Sequence, residues 1–60
     1  MWLLILIMLF PSITSETVLK RYLTERECAV EQARVLRDME EAYPHERNFR
    51  LICRYVWRMI

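Results

Sequence analysis

Residues 47–59, "RNFRLICRYVWRM", fit two templates at once. With a period of 2, Phe49, Leu51, Cys53, Tyr55 and Trp57 line one face, and Arg50, Arg54 and Arg58 share the other with Ile52 and Val56. With a period of 3.6, Phe49, Ile52, Cys53, Val56 and Ile60 form a stripe, and the same arginines recur at four-residue steps behind it. Pro44 followed by Glu46 is a workable helix start. Against it, Phe, Ile, Tyr, Val and Trp dominate residues 49–57, and these side chains favour the pleated surface of a strand. The period-2 face is also apolar without interruption. The segment is therefore read as a strand, with the helix as the alternative.

Upstream, residues 24–43 carry the clearest pattern in the chain. Thr24-Glu25-Arg26-Glu27 is a capping box, in which the Thr24 side chain accepts from the Glu27 amide and Glu27 reaches back. Cys28, Gln32, Val35, Leu36, Met39 and Tyr43 then recur at three- and four-residue steps, and Arg34 is spaced for ion pairs with Glu31 and Asp38. Pro44 ends the helix by disfavouring helical geometry at Tyr43, and residues 44–48 form a short polar connection. Before the helix, residues 17–23, "TVLKRYL", read as a strand with one mixed face.

The first ten residues, "MWLLILIMLF", are apolar without exception, and "PSITS" follows before Glu16. A run of that length is a signal-peptide core or about half a membrane span. Pro11 breaks a helix, and Ser12, Thr14 and Ser15 offer cleavage positions, although no Lys or Arg precedes the run. Residues 1–15 are thus expected to be a hydrophobic leader helix, either a cleaved signal peptide or a short uncleaved anchor touching the membrane through residues 1–10. Residues 16–60 are expected to be a small disulfide-stapled domain.

At 60 residues the chain is one small domain at most, and such a chain usually needs a staple or a partner. Its two cysteines, Cys28 and Cys53, behind an export-like leader point to a disulfide. Cys28 lies on the apolar stripe of the first helical turn, and Cys53 faces inward with Phe49, Leu51 and Tyr55 in the strand register. Zinc is disfavoured, because two cysteines so far apart and the single distant His45 lack paired-ligand spacing. The fold class expected is α+β, a β-α-β unit after the leader helix; the alternative is all-α, a leader helix plus a helical hairpin.

With Thr24, Glu27, Cys28 and Cys53 in these places, the chain resembles the short, uncharacterised exported proteins encoded by bacteria and their phages. In these a signal peptide precedes a strand, a T-x-x-E/x-C helix start and a late hydrophobic strand with the second cysteine. The arginine-rich end and the uncharged leader depart from that pattern, and the resemblance implies no shared activity.

Chemistry is sparse. Formal net charge is +1, yet residues 25–42 hold six acids and three arginines while residues 45–60 hold one acid and four arginines. That is a self-neutralising helix beside a basic segment, without the footprint of a nucleic-acid binder. His45 stands in a loop with no acid–base partner at useful spacing. Ser12 and Ser15 belong to the leader, and the neighbouring Glu40 and Glu41 point to different parts of the helix surface. No enzyme, cofactor or metal is expected. The residues left over are Tyr55, Trp57 and Arg58, of the types that dominate binding hot spots, at an end that a small core cannot cover. The expectation is a non-catalytic exported protein, periplasmic or in the cell envelope, that binds and modulates or inhibits an envelope or membrane protein through these residues. The alternative is a phage-type lysis or toxin-like effector held in the inner membrane by a single uncleaved N-terminal helix, blocking an integral membrane protein of cell-wall synthesis.

Overall fold

The structure is a computed structural model that describes residues 1–57. Four elements follow one another: strands β1 (Trp2–Leu9) and β2 (Thr14–Tyr22), helix α1 (Glu25–Ala42) and strand β3 (Phe49–Tyr55). The sheet order is β2-β1-β3, and β1 runs antiparallel to both neighbours. The class is α+β, but the expected leader helix is absent, since residues 2–9 form the central strand. The all-α alternative falls with it. The β-α-β order survives as β2-α1-β3, with a difference: β2 and β3 run parallel to each other and are not neighbours. β1 lies between them and supplies the only backbone ladder either one makes among the described residues.

Why "WLLILIML" forms this strand follows from its position. A short unbroken apolar run is equally the core of a leader and a strand covered on both faces. The pairing registers show its lateral neighbours on each face. On the face toward α1, side chains stand in rows across β2, β1 and β3: Tyr22–Trp2–Tyr55, Lys20–Leu4–Cys53, Thr17–Leu6–Leu51 and Ser15–Met8–Phe49. On the far face the rows are Arg21–Leu3–Arg54, Val18–Ile5–Ile52 and Glu16–Ile7–Arg50. Every side chain of β1 except the last thus stands between two others. Pro11, read from sequence as a helix breaker, instead occupies the turn Phe10-Pro11-Ser12-Ile13, where its fixed φ suits the second position. The Phe10 amide donates to the Ile13 carbonyl at 3.0 Å. β2 begins at Thr14, so the strand crosses the division drawn at residue 15.

α1 starts at the capping box. The Glu27 amide donates to Thr24 Oγ1 at 3.2 Å, and the Thr24 hydroxyl donates to the Glu27 carboxylate at 2.9 Å. The helix lays Cys28, Val35 and Met39 on the sheet, where Leu4, Phe49 and Leu51 complete a small core. Leu4 and Cys28 are its most enclosed members, at 1% and 0% exposure. Truncating Leu4 leaves a cavity under the helix. Leu4→Ala should lower the unfolding free energy by about 2–5 kcal/mol in urea titrations followed by circular dichroism. A peptide of residues 16–60 should show no cooperative sheet transition, because its two strands share no backbone ladder.

Candidate functional site

The two cysteines are joined, as their even count suggested, with Cα atoms 6.2 Å apart. The bond ties the first turn of α1 to β3, an edge strand with only one hydrogen-bonded neighbour. Gln32, one turn further along the helix, adds a second tie: its Nε2 donates to the Leu51 carbonyl at 2.6 Å. Gln32 Oε1 also lies 3.8 Å from Cys53 Sγ, a van der Waals contact because a disulfide sulfur carries no proton. A glutamine on an otherwise apolar helical stripe was the sequence signal for this role, and it was read there only as a member of the stripe.

Beyond the disulfide, β3 runs out to the residues singled out as a contact site. Tyr55 packs its ring against Trp2 with centroids 5.3 Å apart, yet 55% of it stays exposed. Trp57 follows the strand and is 76% exposed. Arg58, the third of the group, lies outside the described residues. The core thus leaves both described aromatics largely uncovered, as the limited apolar interior of a small domain requires.

The helix-free face of the sheet is the feature that sequence reasoning missed. Leu3, Ile5, Ile7 and Ile52 form an apolar centre flanked by Arg21, Arg50 and Arg54. Arg54 Nη1 lies 3.3 Å from Glu16 Oε1. These residues belong to strands on opposite sides of β1, in rows two steps apart, so the line between them passes over Ile5. Ile5 is 2% exposed although no helix covers that face. The arginine stem provides apolar cover while its charged head reaches solvent. Both partners are about half exposed, and such a pair is worth roughly 0–1 kcal/mol as an ion pair; its structural consequence is the cover.

The outer surface of α1 is self-neutralising. Arg34 bonds Glu31 and Asp38, as the spacing indicated. Its hydrogen bond holds the Glu31 carboxyl below the ordinary carboxylate range and raises the Arg34 guanidinium. His45 is exposed in the loop after Pro44. An open cleft lies between the C-terminal half of α1 and the start of β3, bordered by Leu36, Tyr43, Phe49 and Arg47. Among the described residues no three His, Cys, Asp or Glu side chains converge as a metal site. No helix among them is long and apolar enough to cross a membrane, so the single anchoring helix of the alternative location is corrected to a strand. No protein-family model, curated protein or solved structure matches the chain.

Closing a loop of this length removes chain entropy worth about 3–4 kcal/mol from the unfolded state. Cys28→Ser should therefore lower the denaturation midpoint by a corresponding amount. The purified wild-type chain should weigh about 2 Da less under non-reducing conditions than after reduction.

Proposed function

We propose that this chain is a small non-catalytic protein of an oxidising compartment, exported to the periplasm or cell envelope, which binds and modulates or inhibits an envelope protein. Contact is made at the end of β3 through Tyr55, Trp57 and Arg58. One observation carries the reading: two large aromatics stand mostly in solvent at the end of a strand that a disulfide and Gln32 hold in place. Exposed Trp and Tyr on a fixed support bring large contact area at little entropic cost on binding. The disulfide supports a non-reducing location, where such bonds persist.

The binding form is the three-stranded fold, because β2 and β3 lose their common neighbour without β1. Protein recovered from the envelope should then retain residues 2–9, and sequencing that begins near Glu16 contradicts this form. Partner binding is tested by capture from envelope extracts, with identification of the captured protein and titration of the purified pair. Trp57→Ala should weaken binding about 30-fold, the loss of roughly 2 kcal/mol common for a buried interface tryptophan. Disulfide content and circular dichroism should be unchanged, since Trp57 is 76% exposed. Equal affinity of Trp57→Ala and wild type removes the C-terminal end from the contact surface. Unfolding of the variant would instead make Trp57 a structural residue.

A further inference from the structure

An open three-stranded sheet has two edges, and this chain treats them differently. Met1 and Val56 exchange both backbone hydrogen bonds, at 3.0 and 2.8 Å, and the Leu9 amide donates to the Asn48 carbonyl at 2.7 Å. Stepping by twos along the antiparallel ladder, Arg50, Ile52 and Arg54 aim their backbone groups at β1, while Phe49, Leu51, Cys53 and Tyr55 aim theirs outward. That outer edge is guarded. The Phe49 carbonyl accepts from Arg50 Nη1 at 2.8 Å, the Leu51 carbonyl accepts from Gln32 Nε2 at 2.6 Å, and Cys53 is tied to the helix.

The edge of β2 has no such guard. The Phe10–Ile13 hydrogen bond sets the alternation on this side: Ser15, Thr17, Lys20 and Tyr22 aim their backbone groups at β1, and Thr14, Glu16 and Arg21 aim outward. Among the described residues no side chain bonds these outward groups, and Arg21 has no ion-pair partner.

β2 also carries a register key. Leu4 pairs with Lys20 but Ile5 pairs with Val18, so Leu19 is the extra residue of a β-bulge. From the bulge toward either end, the face pattern repeats. Thr17 and Lys20 are on the helix face, Glu16 and Arg21 on the far face, and Ser15 and Tyr22 on the helix face again. When a strand pairs antiparallel with a copy of itself, directly opposed residues share a face. A regular strand satisfies this in every second register. A bulged strand satisfies it over its length only when the two-fold axis passes through the bulge. In that register Glu16 opposes Arg21 of the second copy, and Arg21 opposes its Glu16. Both positions have outward backbone groups, so both are hydrogen-bonded pairs.

We propose that β2 is a self-recognition edge and that its occupant is a second copy of this chain, docked antiparallel about the Val18–Leu19 bulge. The product is one continuous sheet in the order β3-β1-β2-β2-β1-β3 with both helices on the same side. Charge complementarity selects the copy: each interface holds two Glu16–Arg21 pairs on the far face. The bulge, a common guard against indiscriminate edge pairing, here excludes slipped registers and admits one.

Sedimentation equilibrium on the intact, oxidised chain tests this. The wild type should be a monomer–dimer system with no larger species. Arg21→Glu and Glu16→Arg should each weaken self-association about tenfold or more, because two attractive pairs become two repulsive ones. An equimolar mixture of the two variants should form heterodimers, since each Glu then faces an Arg again. Arg54→Ala, which removes the other partner of Glu16, should still dimerise. The wild type supplies an independent readout that needs no substitution. Amide exchange at Glu16 and Arg21 should slow as protein concentration rises. A wild type that stays monomeric at every attainable concentration overturns the proposal. So does a dimer indifferent to the charge reversals, or one in which these two amides stay unprotected.

Discussion

The hydrogen bonding of β1 is the constraint on which the structure depends. A central strand satisfies its amides and carbonyls on both sides, and an edge strand on one. In this chain the two edge strands have no ladder with each other, so each joins the backbone hydrogen bonding of the sheet through β1 alone. The apolar surface follows the same logic. Leu4 lies under the helix and Ile5 under the Arg54–Glu16 crossing, at adjacent positions on opposite faces of one strand. The most apolar segment of the sequence is therefore the one with a strand on each side, and its two buried residues lie on opposite faces.

Once β1 is central, the other features take their places. α1 needs an apolar platform for Cys28, Val35 and Met39, and the rows through Leu4, Leu6 and Met8 provide it. The disulfide and Gln32 then fix the helix to the strand with the most aromatic end. The chain divides its surface by charge as a result. Six acids and three arginines lie along residues 25–42 on the helix, while Arg21, Arg50 and Arg54 stand on the opposite side of the sheet. The total of +1 conceals that separation. Charge placed this way orients encounters with other molecules more than it stabilises the fold.

Elements set by local chemistry were legible in the sequence. The Thr24 cap, the helix to Ala42, the strand from Phe49 and the Cys28–Cys53 bond all rest on signals within a few residues or on the cysteine count. Pro44 ends the helix where expected. The N-terminal segment was not legible, for a physical reason: a central strand with Leu4 and Ile5 buried on opposite faces takes the same unbroken apolar run as the core of an export signal. Alternation, which separates strands from helices elsewhere, is erased when both faces are covered. Arg54 and Glu16 are 38 residues apart, and their crossing depends on the register of both edge strands against β1. No pattern in the sequence reports such a pair before the sheet order is known. The exposure of Tyr55 and Trp57 was foreseeable from size alone, because a chain this short has more large apolar side chains than interior.

Residue-resolved amide exchange of β1 tests the central position of this strand most directly. A strand bonded on both sides opens only with global unfolding, so the amides from Leu3 to Met8 should be the slowest in the protein, with Arg50, Ile52 and Arg54 matching those they face. Amides of β1 that exchange as fast as those of the Phe10–Ile13 turn would contradict the account, because a sheet of this order cannot form without them.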